Sequence, residues 1–310
     1  MGTVTTVPDR RCSTASRDSG EDVLGTAAPV RRWLLLERPG AWSQAALAET
    51  LAAVFSPDQR RRLHALARDE GLRTLLVRRP GRDTGTGPVL VHVGSAAAPG
   101  APAWMERLEV PQLQDVGRVA VDRLLQPGLG EPVADPLLLV CTHGSKDMCC
   151  AVEGRPLARA LAAVHGEQVW ECSHVGGDRF AGNLVVAPHG EYYGRLEVAD
   201  ALRVGEAATR GEVLAETGFR GRSTYDGWQQ VAEAVVRRRE GLRGRGDVVC
   251  GPSRSLGLGA AVEVTTARAT LTVRMLRRPG VTVTPSRCRG GLTSLDHQVV
   301  GVDVVPHPAW

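Results

Sequence analysis

Two short windows hold most of this chain's capacity for chemistry. One is Cys141-Thr142-His143-Gly144-Ser145-Lys146-Asp147-Met148-Cys149-Cys150. The other runs Glu171-Cys172-Ser173-His174-Val175-Gly176-Gly177-Asp178-Arg179-Phe180-Ala181-Gly182-Asn183. Together they gather four of the seven cysteines and two of the eight histidines. Each follows an apolar run that reads as a strand. Thiolate and imidazole donors collected at the ends of neighbouring strands suit a transition metal or an iron–sulfur cluster.

The local pattern supports such a site. Cys141 ends a strand and Cys150 opens a helix, so both sulfurs sit on short, stiff connections. A helix N-terminus also favours a thiolate at Cys149 or Cys150. Cys172 and His174 stand two apart on an extended segment and share a face. Gly176 and Gly177 let the backbone approach a bulky inorganic group. Thr142 and Ser173 are placed to hydrogen-bond cluster sulfides. Spacing alone leaves a zinc site of three cysteines and one histidine level with an iron–sulfur cluster.

The remaining polar groups read more plainly. His143 is a loop-capping neighbour rather than a ligand, and Asp147 is an N-cap for the helix that follows. Asp178 and Arg179 read as an ion pair, His189 as a polar turn residue, and Tyr192 and Tyr193 as hairpin packing. Cys12 falls in a polar leader and is not expected to ligate. Cys250 and Cys288 flank the last part of the chain as incidental thiols. The Arg78-Arg79-Pro80-Gly81-Arg82 loop reads as an anion or acidic-partner contact, or equally as a solvated basic turn.

The elements that must position the windows follow from periodicity. Residues 1–29 lack it and read as a disordered leader. A first lobe, 30–134, has strands at Trp33–Glu37, Thr74–Arg78, Val89–Val93 and Trp104–Val110. Two helices lie between the first two of these, one from Ser43 to Val54 and one from Pro57 to Asp69. A second lobe, 135–240, starts with the apolar run Pro136–Val140, the mark of a buried central strand. A helix from Cys150 to Val164 follows, with Pro156 as a kink or break. A strand into Cys172, a hairpin across Pro188-His189-Gly190 and a helix from Glu197 complete a thioredoxin-like order. The amphipathic helix Asp226–Arg239 comes next. The last region, 241–310, alternates as a small antiparallel sheet. The fold class is therefore α/β, with a thioredoxin-like domain on a related N-terminal lobe and a β-rich C-terminal region.

Composition sets limits on function. The chain has 310 residues, 43% hydrophobic and 23% charged, with a formal net charge of +4. Lys146 is the only lysine. Aromatics at 4% and no interleaved basic stripe argue against a nucleic-acid surface. The densest basic run, Arg237 to Arg245, reads as a solvated helix end. No apolar run reaches the ~18 residues of a membrane span, and no secretory signal is visible. A cytoplasmic location is expected. No dinucleotide fingerprint, phosphate loop or serine elbow is present.

The ordered motifs are specific as a set. Cys-Thr-His-Gly-x-x-Asp-x-Cys-Cys-Ala from Cys141 is followed by Gly154-Arg155-Pro156-Leu157, by His174-x-Gly-Gly-x-Arg179-Phe180-Ala181 and by Tyr192-Tyr193-Gly194-Arg195. This series resembles the sucrase/ferredoxin-like family, in its actinobacterial type, over about Trp33 to Arg239. The resemblance implies a thioredoxin-like fold holding one [2Fe–2S] cluster. Some members use two cysteines and two histidines, the latter spaced His-x-x-x-His. On that pattern Cys141 and Cys150 match the cysteines and His174 the first histidine. The second histidine falls on Asp178, a harder ligand. Cys172 is expected to take its place, and Cys149 is a further candidate. The expected ligand set is thus Cys141, Cys150, Cys172 and His174. The expected role is electron transfer or redox sensing with a redox-protein partner, without nucleic acid or membrane. Two other readings are a thiol oxidoreductase using Cys149 and Cys150 or Cys141, and a zinc-stabilised module. No catalytic residues are expected, and no paired carboxylates support sugar hydrolysis.

Overall fold

The computed structural model describes residues 11–81, 87–97, 101–283 and 292–307, with backbone alone at 279–283 and 292–296. The leader expectation needs correction. Within residues 11–29, helix α1 spans Cys12–Asp18 with Cys12, Ser13 and Ser16 buried. Its buried face is small and polar, so hydrophobic periodicity does not register it. Hydrogen bonds hold it instead. The Ser16 hydroxyl donates to Glu21 at 2.5 Å and the Ser13 hydroxyl to Glu153 at 2.5 Å.

The first lobe follows the expected order. Strand β1 is Arg32–Glu37, α2 Ala46–Val54, α3 Pro57–Asp69, β2 Leu72–Arg78, β3 Val89–Ser95 and β4 Trp104–Val110. A capping box of Ser56 and Gln59 starts α3. Ser43 does not cap α2; its hydroxyl donates to Glu49 at 2.7 Å. A short α4 (Val121–Leu124) and edge strand β5 (Glu131–Pro132) close the lobe.

The second lobe holds β6 (Leu137–Cys141), α5 (Met148–His165), β7 (Val169–Cys172), β8 (Leu184–Ala187), β9 (Glu191–Tyr193), α6 (Val198–Thr209), β10 (Phe219–Arg222) and α7 (Gly227–Glu240). Helix α5 runs through Pro156 without a break. Strand β10, four residues with a bulge beside Gly221, is too short and irregular to announce itself in the sequence.

The ten strands β1 to β10 form one sheet, in the order β10-β9-β8-β6-β7-β2-β1-β3-β4-β5. Strands β6 and β7 are parallel, as are β1 and β2, and the two pairs meet where β2 lies antiparallel to β7. Alternation divides the sheet's faces. Leu138 and Val140 pack on Leu157, Ala158 and Leu161 of α5. Leu137, Leu139 and Cys141 point the other way, into a cluster with Trp33, Leu35, Trp170 and Cys172. A third cluster joins Leu34 and Leu36 to α2 and α3.

The C-terminal strands are β11 (Val249–Cys250), β12 (Arg254–Ser255), β13 (Gly259–Thr265), β14 (Ala269–Val283) and β15 (Leu292–Pro306). They form a separate antiparallel sheet ordered β11-β13-β14-β15, with β12 also on β13. Strand β14 runs on through Pro279 and Gly280 and pairs with β15 through two register shifts. Val262, Val264, Leu271 and Val273 pack with Val231 and Val236 of α7, which docks this sheet on the second lobe. Cys288 lies outside the described residues.

Candidate metal centre

Cys141 is the last residue of β6, flanked by β7 and β8 in the middle of the sheet. Helix α5 returns so closely over β6 that a Cβ on Gly154 would lie 2.1 Å from the Cys141 carbonyl oxygen. Glycine at 154 is thus what lets the helix that carries Cys150 pack on the strand that carries Cys141. Asp147 caps α5, its Oδ1 accepting the Cys149 N–H at 2.8 Å.

His174 lies just beyond β7, on a loop held from several sides. Arg73 donates to the His174 carbonyl at 2.6 Å. Arg220, fully buried on β10, donates to the Gly176 carbonyl at 3.0 Å and to Asn183 Oδ1 at 2.8 Å. Asn183 in turn donates to the Gly177 carbonyl at 2.8 Å. Gly177 has φ +75°, and a Cβ there would meet the Arg220 guanidinium at 2.5 Å, so both conformation and space demand glycine. Burial draws the Arg220 guanidinium down to about 10. This arginine, fixing the ligand loop from a distant strand, has no local sequence signal.

The result is a compact donor set. Ligand atoms of Cys141, Cys150 and His174 lie within 4.8 Å of one another, with both cysteines buried. The Cys141 thiol is shifted well down, first by a hydrogen bond from Cys150 and then by the His174 ring. Cys150 is shifted up by the same shared proton and by burial. The two thiols are thus pushed in opposite directions, Cys141 down and Cys150 up, by the hydrogen bond between them. His174 Nδ1 is buried with no hydrogen-bond partner among the described residues.

Cys172 stands directly beside Cys141 on the parallel strand, on the same sheet face, but outside that three-residue grouping. Burial and the neighbouring Cys141 push its thiol well up. Asp178 approaches from the loop's far end. Burial raises its carboxyl, and its side chain hydrogen-bonds that of Asp147. Cys149 turns away into a second group with Cys12 and Asp147. Consecutive residues on a helix do not face one direction, so the doublet's two thiols serve different neighbours. Hydrogen bonds from the Cys12 thiol and from Ser13 lower Cys149 to about 7.

Several subsidiary expectations change. The Thr142 hydroxyl donates to Glu171 at 2.9 Å and the Ser173 hydroxyl accepts from the Leu76 N–H at 3.0 Å, so both are engaged away from the centre. Arg179 pairs with Glu21 at 2.7 Å rather than with Asp178. Arg78 pairs with buried Glu171 at 2.6 Å and lies over Trp42, while Arg79 lies over Trp170. These two arginines thus serve packing. His143 anchors its loop, with Nε2 2.9 Å from the Ser43 carbonyl and its ring edge-on to Trp42. Asp147 is the N-cap, as expected.

The sucrase/ferredoxin-like family model matches residues 23–221, which takes in both windows and most of the large sheet. The chain belongs to the sucrase/ferredoxin-like family. Within the curated proteins, altered inheritance of mitochondria protein 32 from Meyerozyma guilliermondii is 32% identical over 101 residues. That match covers 29% of this chain and 36% of the relative, so the chain spans about a third of that protein. No solved structure matches the chain significantly. The C-terminal antiparallel sheet lies outside the family match, as does Cys12. Among the described residues no helix is long and apolar enough to cross a membrane.

Proposed function

We propose that this chain is an iron–sulfur protein that holds one [2Fe–2S] cluster at the end of β6 and exchanges single electrons with a protein partner. The observation that carries the reading is the convergence of Cys141, Cys150 and His174 inside the family-matched region. Two sulfurs and an imidazole fit the donor preferences of a cluster iron. The orphaned, buried Nδ1 of His174 fits a ring set aside for a ligand role.

When bound, the cluster supplies one-electron exchange at a potential set by its ligands, net charge and burial. The chain's own residues hold and orient it. Cys141 and Cys150 secure one side from strand and helix. His174 secures the other, its backbone fixed by Arg73. We assign the fourth place to Cys172, a soft donor already in register beside Cys141. Asp178 is the alternative. The partner is a redox protein, and the setting a reducing one such as the cytoplasm, where clustered thiols persist.

Zinc is the competing occupant, because a set of three cysteines and one histidine also suits it. Composition decides between them. Protein purified without oxygen should be brown and carry about two iron and two acid-labile sulfide per chain. Colourless protein with zinc at this site instead would overturn the proposal. A cluster unchanged in Cys172→Ala would move the fourth place to Asp178.

A further inference from the structure

The second donor group lies outside the centre just described. Cys12, Asp147 and Cys149 offer ligand atoms that all lie within 4.8 Å of one another, and all three residues are buried. Cys12 Sγ stands 3.5 Å from Cys149 Sγ and 3.7 Å from Asp147 Oδ2. These separations have the size of the edges of a tetrahedral site. Zinc–sulfur bonds of about 2.3 Å and zinc–oxygen bonds of about 2.0 Å place two sulfurs about 3.8 Å apart and sulfur and oxygen about 3.5 Å apart.

The carboxylate is oriented as a metal-bound one usually is. Asp147 Oδ1 takes the Cys149 N–H, which turns Oδ2 toward Cys12. Asp178, hydrogen-bonded to Asp147, is a further donor at the edge of the group. The surroundings are closed rather than open, with Ala181 packed on the two sulfurs. With Asp178 as a fourth protein donor no coordination position would be left open, the arrangement of a structural zinc site.

We infer that Cys12, Asp147 and Cys149 form a second metal site, for a divalent ion of the zinc class, that staples the N-terminal helix to the start of α5. The two cysteines are far apart in the chain, and Cys12 precedes the family match, so the staple ties a segment outside that match to the ligand-bearing helix. Direct contacts already dock α1 on α5. Ser13 and Arg17 both reach Glu153, at 2.5 Å and 2.6 Å. A bound ion would add its binding free energy to that docking.

Metal content of the full chain tests this. Protein from zinc-supplemented culture is analysed for zinc, iron and sulfide, then stripped with a chelator and titrated with Co2+. The expected result is about one zinc per chain that Cys12→Ser removes while iron and sulfide stay. Cobalt should show a thiolate charge-transfer band and the visible bands of a tetrahedral ion, both lost in Cys12→Ser. Cys149→Ser should lose zinc in the same way, so a folding fault in one variant does not decide the matter. Wild-type protein that takes up neither ion here overturns the inference. So does a mass two hydrogens short, from a Cys12–Cys149 disulfide, in protein kept under reducing conditions. Zinc lost in Cys141→Ser but kept in Cys12→Ser would overturn it too, and would place the ion in the first group against the cluster reading.

Discussion

The strand ladder β4-β3-β1-β2 and the ladder β9-β8-β6-β7 are built to one plan and end in different chemistry. In each, a central strand pairs parallel on one side and antiparallel on the other. In each, the central strand is a run of large aliphatic residues, Leu34-Leu35-Leu36 in one and Leu138-Leu139-Val140 in the other. The next residue is Glu37 in the first and Cys141 in the second. Glu37 accepts the Leu90 N–H at 2.7 Å, whereas Cys141 joins Cys150 and His174. Two helices, α2 and α3, follow β1; the single helix α5 follows β6 and starts within reach of the strand end. No cysteine occurs between Arg31 and Ala134.

A strand end facing a helix start is only a place to put ligands. The side chains there decide whether it becomes a metal centre. The first ladder retains a positioning role. Val77 pairs with Cys172, the Leu76 carbonyl accepts the Ser173 N–H at 2.8 Å, and Arg73 holds the His174 carbonyl.

The comparison breaks most severely at the ligands. Cys150→Ser should abolish cluster retention, read as loss of visible absorption and of bound iron, with the protein still folded by circular dichroism. Leu36→Ala strikes the first ladder in a cluster that contains no second-lobe residue. It should cost about 3 kcal/mol in denaturant unfolding, by lost burial and a residual cavity. The visible spectrum of the folded fraction should not move. A changed spectrum would mean that the two ladders are not separable in this way.

The smallest effect is the subtlest test. His92 on β3 pairs with Leu35, and its counterpart Val185 on β8 pairs with Leu139. Burial, with help from Arg79 and Arg107, depresses His92 to about 3. Its folded value lies below its unfolded one, so the stability it protects is present above the unfolded value. That stability is lost as pH falls from 6.5 toward 3, because only the unfolded chain takes up the proton. Between about pH 7 and pH 5 the loss should be about 2 kcal/mol. His92→Val, which copies the other ladder, should flatten that acid limb. An unchanged slope would place the acid sensitivity elsewhere.

Much of this was legible in the residues. Continuous apolar runs marked β1 and β6, and the helix read from Pro57 to Asp69 is α3. The two windows offered Cys141, Cys150, Cys172 and His174 as one donor set, and the structure groups Cys141, Cys150 and His174 with Cys172 outside that grouping. The rest is held by contacts with no local pattern. Helix α1 buries serines and Cys12 by hydrogen bonding, where hydrophobic periodicity sees only a polar leader. Arg220 sets the Gly176-Gly177 loop from a bulged strand more than forty residues away, and only the fold brings them together. Cys149 read as a further candidate for the centre that takes Cys150, and helix geometry turns it into a second group with Cys12 and Asp147.

We place the cluster in the second ladder alone, held by thiolates and by His174. Pulsed electron paramagnetic resonance of the reduced full-length protein tests this placement most directly. The expected result is the half-integer-spin signal of a reduced [2Fe–2S] cluster with nitrogen coupling from one imidazole, and loss of that coupling in His174→Cys. A signal without nitrogen coupling, or a coupling that survives His174→Cys, would contradict it.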